Sequence, residues 1–357
     1  MGVPDVSADR RCQLAPLAGL TTLRLGGPAR RLVTAASADE IVQSVRESTA
    51  SGEPTLVLGG GSNVVIADPG FAGTAILLRS RGLRVVEQDA TAVTIRVAAG
   101  EPWDEVVAGA VAAGWSGLEC LSGIPGAAGA TPIQNVGAYG QAVAQTITAV
   151  RVLDRVTGAV SWLPPEQCRF GYRTSVFKRS DRWVVLEVQF RLPRSPRSAP
   201  IRYAELAGAL AVRMGDTAPL PVVREAVIAL RAGKGMLLDP ADPDTYSVGS
   251  FFTNPVLAPA AAATLVADGA APPPPSWPEP GGLVKVSAAW LIEQAGFPKG
   301  YAGLGVAISS KHTLALTNRG TGTTAALLAL AGEIRDGVRA RFGVTLHAEP
   351  VLVDCIL

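Results

Sequence analysis

Apolar and polar residues recur along this chain with two periods, and each predicts a kind of element. In Trp183–Leu192, Val184, Leu186, Val188, Phe190 and Leu192 fall on one side, while Glu187, Gln189 and Arg191 fall on the other. That period of two belongs to a strand with one buried face. Runs rich in β-branched residues at Thr55–Leu58, Val64–Ala67, Thr74–Leu78, Leu83–Glu87 and Ala92–Ala98 predict further strands. Ala149–Asp154 and Ala159–Leu163 flank Thr157-Gly158 as the arms of a hairpin would. Elsewhere the spacing is helical. Ile41, Val42 and Val45 share a face behind Ser37-Ala38-Asp39-Glu40, a capping box in which hydroxyl and carboxylate satisfy exposed N–H groups, and Gly52 ends the helix. Trp103–Ala113, Pro221–Leu230, Ala288–Gln294 and Thr324–Phe342 are predicted helices; Leu314–Thr317 and Pro350–Ile356 are predicted strands.

The order of these elements is α+β, since the strands of the first part are short and mixed and lack the regular alternation with helices of a doubly wound sheet. Residues 1–20 read as an irregular polar lead-in and Pro193–Pro200 as a connection. Ala271–Gly282, with prolines at 272–275, predicts an extended solvated loop or insertion. Two lobes are expected, divided near 200–220.

Composition narrows the picture. Apolar residues make up 48% of the 357 positions and charged residues 17%, which excludes a disordered chain. The net charge of +2 gives no global field for nucleic acid or an anionic membrane, so neither is an expected partner. The longest apolar runs, such as Val106–Ala113 and Ala325–Ala331, are far shorter than the ~20 residues of a spanning helix. Met1-Gly2-Val3-Pro4-Asp5 opens no apolar signal region, and Val6 breaks the myristoylation pattern, so the cytoplasm is the expected compartment. Cys12, Cys120, Cys168 and Cys355 are scattered, and the histidines are His312 and His347 alone. No metal site and no Ser-His-Asp triad is expected from so few ligands. The 39 glycines and 27 prolines, about 18% of the chain, point to tight turns and to loops that approach a ligand closely.

Four loops could carry chemistry. Gly59-Gly60-Gly61-Ser62-Asn63 follows a strand and can cradle an anion with its backbone N–H groups, or be a plain tight turn. Ser122–Gly140 is built almost wholly of small residues, suiting the surface of a flat or phosphorylated cofactor; the alternative, a long mobile loop, sits poorly with Pro125 and Pro132. In Phe170–Lys178, Arg173 beside Tyr172 can clamp a carboxylate, or form a surface ion pair. In Gly249–Pro255, Ser250 between a glycine and two phenylalanines can donate a proton at a dry site, or be a turn residue before a core Phe pair.

Taken in order, these strings resemble one family. LGGGSNVV at 58–65, SGIPGAAGATPIQNVGAYG at 122–140, FGYRTSVFK at 170–178, GSFFTNP at 249–255, WLIEQAGFPKG at 290–300 and the segment of Glu349 are similar to the UDP-N-acetylenolpyruvoylglucosamine reductases, the MurB family, over about residues 19–356. The resemblance implies an FAD-binding module of the vanillyl-alcohol-oxidase type over 19–200, made of two α+β subdomains split near 70–80. A connecting segment over 201–220 carries Tyr203, a C-terminal α+β substrate-binding domain spans 221–345, and a final strand over 346–357 carries Glu349. It implies FAD held by Gly59, Gly60, Gly61, Ser62 and Asn63 and by Ser122, Gly123, Ile124, Pro125, Gly126 and Gly129. It implies NADPH as reductant, which leaves before the enolpyruvyl UDP-sugar binds, and a monomer. Arg173, Ser250 and Glu349 would be catalytic: Arg173 on the substrate carboxylate, Ser250 as proton donor, Glu349 positioning the same end. Tyr172 would line the site. Lys234, three residues after Arg231, would meet phosphate, Asn254 and Gln294 the UDP moiety, and Tyr203 would fold over the diphosphate, marking the loop-bearing type. The chain departs from the family's pattern at Thr253, where lysine is common, at Pro350-Val351, where Glu349 would be followed by Val-Arg, and at 271–280. Another FAD-dependent oxidoreductase of this fold, or an inactive nucleotide-sugar binder, is the alternative reading.

Overall fold

A computed structural model describes residues 15–267 and 273–357. Met1–Val6, Cys12, Ala271 and the first proline of the run, Pro272, lie outside the described residues. The first layer is a four-stranded sheet in the order Ala15–Pro16, Pro28–Ala35, Phe71–Leu78, Thr55–Leu58, the last three strands running parallel. The helix Ala38–Ala50 buries Ile41 and Val45 beside it. Its capping box is shifted: Ser37 Oγ accepts from the Glu40 N–H at 3.2 Å, while the Glu40 carboxylate accepts from Ala36, one residue earlier than the motif requires, at 2.8 Å. The strand Pro28–Ala35 escaped the sequence pattern because it fully buries only Ala29 and Ala35, two small residues that leave no alternation to read.

The second sheet has five antiparallel strands in the order Val160–Leu163, Ile147–Asp154, Trp183–Pro193, Ala92–Ala98, Leu83–Gln88. The alternation of Trp183–Leu192 puts Val184, Leu186, Val188, Phe190 and Leu192 in the core. The helix Trp103–Ala112 lies against it, with the Trp103 and Phe190 ring centroids 5.7 Å apart.

The C-terminal part gathers Phe251, Phe252, Leu291, Leu327 and Ile334 into a separate core, joined by Leu23, Leu25 and Val65 from the start of the chain. Its two main helices are Ala288–Gln294 and Thr324–Phe342, the predicted bounds. Ser276–Pro278 corrects the expected proline loop: it is a strand paired with Val284–Val286. Its Pro278 is tolerated because the strand lies at the sheet edge, where a missing N–H costs no ladder bond. The helices Ala204–Ala209 and Pro259–Ala267, and the single turn Pro165–Cys168, were not predicted. The helix Leu220–Gly233 packs Val223 and Val227 on Cys120, Ile201 and Leu206, so this start of the expected C-terminal domain is held by the first lobe.

One pairing positions the site. The final strand Val351–Val353 runs parallel to Val64–Ile66, with Val351 opposite Val64. It returns the end of the chain to the glycine loop at 59–63. Among the described residues no helix is long and apolar enough to cross a membrane.

Candidate active site

The two glycine loops form one surface. A Cβ on Gly60 would lie 2.6 Å from the Cα of Gly126, so the loops approach as closely as glycine allows. Ser62 Oγ donates to the Pro125 carbonyl at 3.0 Å and ties them together. Of the three glycines only Gly61 has a left-handed backbone, φ +63°, and a Cβ there would strike the Leu20 carbonyl. Among the described residues the N–H groups of Gly60, Gly61, Ser62, Asn63, Ile124 and Gly126 find no acceptor. Free backbone donors on two loops in contact can make an anion cradle.

Three loop residues have other work. Ser122 is fully buried and its hydroxyl donates to the Glu119 carbonyl at 2.7 Å. The Gly123 N–H is taken by Asp104 Oδ1 at 2.6 Å, and Arg224 holds that carboxylate with two bonds. Gly129 makes room for Ala99, whose Cβ would lie 2.5 Å from one on Gly129. These contacts shape the loop from behind.

A charged cluster closes the cradle at one end. Arg173 sits on a two-residue turn between Gly171 and Thr174, with φ +50°, and its Nη2 donates to the Gly137 carbonyl at 2.7 Å. Its Nε lies 3.2 Å from Glu349 Oε1, which also accepts from Gln134 Nε2 at 3.0 Å. Gln134 Oε1 in turn accepts from Asn63 Nδ2 at 2.8 Å. A continuous chain of contacts thus runs from the glycine loop to the last segment of the protein. Lys178 Nζ donates to the Arg173 carbonyl at 2.9 Å. Glu349 is 9% exposed; burial raises its pKa, against the pull of Arg173, Lys178 and Gln134. Burial likewise lowers the pKa of Lys178, and nearby Glu349 opposes it.

Ser250 reaches this cluster through its backbone. The Phe251 N–H donates to Leu314 at 2.7 Å, and the Phe251 carbonyl accepts from the Glu349 N–H at 2.8 Å. Ser250 and Glu349 therefore lie on adjacent extended segments. Among the described residues the Ser250 hydroxyl has no hydrogen-bond partner and is free for a ligand.

The outer residues divide. Tyr172 is 40% exposed, with Lys285 Nζ 4.6 Å from its ring centroid. Tyr203 meets Tyr139 edge-on at 5.4 Å, and Lys234 Nζ lies 5.7 Å from the Tyr139 ring. Asn254 Oδ1 accepts from the Ala288 N–H at 2.9 Å, so half of this amide secures a helix start. Gln294, at the other end of that helix, makes no hydrogen bond to the site among the described residues.

With this geometry in view, comparison with known proteins is decisive. The UDP-N-acetylenolpyruvoylglucosamine reductase of Salinispora arenicola is 64% identical over 357 residues, covering 99% of this chain and 98% of that protein. This chain belongs to the UDP-N-acetylenolpyruvoylglucosamine reductase family. The reductase of Thermobifida fusca is 57% identical over 347 residues, covering 96% and 98% of the two chains. The solved UDP-N-acetylenolpyruvylglucosamine reductase (MurB) of Thermus caldophilus superposes with a TM-score of 0.66 at 25% identity, over 96% of this chain and 99% of that one. Residues 29–163 match the FAD binding domain family and residues 240–353 the reductases' C-terminal domain family. An FAD-binding module followed by an α+β C-terminal domain is thus the architecture, as the resemblance implied.

The residues present fit the cofactor. The FAD-binding match contains both glycine loops, and their free N–H groups suit a diphosphate, while a Cβ on Gly60 would force the two loops apart. Arg79 adds charge behind them: its Nη1 donates to the carbonyls of Gly59 and Leu78 at 3.3 and 2.9 Å. Sequence reasoning missed Gln134, Lys178 and Asp104 as members of this reductase site. Gln134 alone had a signal, a long polar side chain within a run of small residues.

Proposed function

We propose that this chain reduces the enolpyruvyl ether of UDP-N-acetylglucosamine-enolpyruvate to UDP-N-acetylmuramate in peptidoglycan precursor synthesis, with FAD as cofactor and NADPH as reductant. The observation that carries the reading is the Arg173–Glu349 pair beside the glycine cradle, with the unengaged Ser250 on the segment whose backbone bonds that of Glu349. Family membership supports the substrate class.

When bound and reduced, FAD supplies a hydride to the terminal carbon of the enol ether. Electron density then moves onto the adjacent carbon and its carboxylate. Arg173 holds that carboxylate, and its guanidinium faces the developing charge from a turn that fixes its direction. Ser250 donates its hydroxyl proton to the adjacent carbon and recovers one from solvent, so hydride and proton add across the double bond. Glu349 is a positioning partner of Arg173: one carboxylate oxygen takes both the guanidinium and the Gln134 amide, holding the fork in register with the cradle. Tyr172 lines the site. Lys234 meets the diphosphate with Tyr203 over it, and Asn254 and Gln294 serve the uridine end.

The test is NADPH consumption by the FAD-loaded protein with and without the enolpyruvyl UDP-sugar. Turnover that requires the sugar, with UDP-N-acetylmuramate as product, is expected. Flavin that NADPH reduces but the UDP-sugar does not reoxidise overturns the reading.

A further inference from the structure

The segment between the lobes holds an ion pair with no task in the chemistry above. Glu205, exposed on the short helix Ala204–Ala209, places its carboxylate 2.5 Å from Lys234 Nζ at the end of the helix Leu220–Gly233. The segment is seated by apolar packing of Ile201, Leu206 and Ala207 on Val223 and Val227, which needs no help from a salt bridge. Tyr203, Tyr139 and Lys234 stack beside it.

The neighbourhood is rich in cations. His312 is held neutral, its pKa about 4, first by burial and then by Lys234, Lys299 and Arg231, while Glu205 acts in the opposite sense. Arg231 is deeply buried, and its Nε has no hydrogen-bond partner. The charged groups acting on His312 are thus three cations and one carboxylate, Glu205, which rides on an exposed helical turn; Arg231 is also drawn to Asp104. A diphosphate brings at least twice the charge of a carboxylate and more acceptor oxygens, so it outcompetes Glu205 for Lys234, where a neutral or singly charged ligand gains less.

We propose that Glu205 is a built-in competitor for diphosphate: it occupies Lys234 when the site is empty and yields it to a ligand carrying a diphosphate, making ligand charge a criterion of entry. The inference rests on the reading of Lys234 as a diphosphate contact. Two diphosphate ligands, NADPH and the UDP-sugar, take turns at this enzyme on that reading. A carboxylate that recaptures Lys234 as each one leaves weakens ground-state binding of both and shortens their stay.

Calorimetric titration of the FAD-loaded protein with UDP and with uridine tests this. Glu205→Gln should tighten UDP by about 2–5-fold, the size expected for losing a half-exposed ion pair, and leave uridine unchanged. The KM for the UDP-sugar should fall by a similar factor, with kcat equal or lower. Glu205→Asp should stay near wild type. The gain should vanish in the Lys234→Gln background, since the competition acts through that ammonium. A purely structural Glu205 predicts the reverse, weaker binding of both ligands on Glu205→Gln. Unchanged or weaker UDP binding, equal tightening of uridine, or a gain that survives Lys234→Gln each overturns the proposal. If Lys234→Gln alone leaves UDP affinity intact, the placement of diphosphate on Lys234 falls too, and the two failures are told apart.

Discussion

The glycine cradle and the Arg173–Glu349 cluster lie end to end yet are made of opposite materials. The cradle is backbone: Gly60, Gly61, Ser62 and Asn63 facing Ile124 and Gly126, all contributed by two continuous stretches. Its selectivity for an anion comes from donors left unpaired and from the absence of side chains. The cluster is side chain: a guanidinium, a buried carboxylate, an amide and a hydroxyl from four separate segments, Gln134 and Glu349 being 215 positions distant. The cradle needs little more than a strand that ends in glycines. The cluster needs the whole molecule folded before its charges meet. A cofactor that stays is held by rigid backbone, and a group that must answer a changing charge is placed on side chains that can be tuned by burial and partners.

The comparison can be broken most forcefully at its backbone end. Gly60→Val should strip flavin almost completely, because its Cβ would lie 2.6 Å from the Gly126 backbone while the C-terminal core is untouched. Flavin absorbance after desalting, with circular dichroism to confirm folding, measures this; full flavin retention would mean the close approach is dispensable. At the side-chain end, Ser250→Ala should leave reduction by NADPH intact and slow reoxidation by the UDP-sugar by about 10²–10⁴-fold, as for other lost general acids. Stopped-flow traces of the two half-reactions decide it, and equal slowing would make Ser250 structural.

Arg173→Ala should lower turnover at saturating substrate by about 10²-fold, with Arg173→Lys only partly restoring it, since lysine lacks the planar fork. A change confined to KM would show that Arg173 meets only ground-state charge. Gln134→Leu sharpens the boundary between the regions. It cuts a bond to each, so flavin affinity and turnover should both fall, by about 10-fold for the bond to the charged Glu349. If only turnover moves, the regions are independent. His312→Gln should act on stability alone, and only in acid. The neutral imidazole is favoured in the folded state, with a pKa of about 4 against the usual 6.5. Its contribution to stability is therefore present above pH 6.5 and is lost as pH falls toward 4, by up to about 3 kcal/mol. Urea unfolding at neutral pH and near pH 4.5 should show a smaller acid loss in the variant.

Much of the fold was legible because the signals were local. The alternation at Val184–Leu192, the Ser37 hydroxyl at its helix start and the helix Thr324–Phe342 each depend on residues a few positions apart and stand where the pattern put them, the Glu40 half of the cap alone being shifted by one residue. Pro28–Ala35 was invisible because small buried residues carry no hydrophobic contrast. Ser276–Pro278 was misread because proline in an edge strand looks, in one dimension, like proline in a loop.

By itself the sequence determined the glycine loops, the identity of the chemical groups and the family, since these are written in contiguous strings. It could not say that Ser122, Gly123 and Gly129 brace the loop from behind, because that depends on Glu119, Asp104 and Ala99 meeting them. Nor could it show that Gln134 joins Asn63 to Glu349 or that Glu205 lies on Lys234. Backbone preference is set by neighbours within a turn or two of chain. Convergence of charged side chains is set by how sheets and helices pack, and here by one parallel pairing, Val351–Val353 on Val64–Ile66, that brings Glu349 back to the cradle.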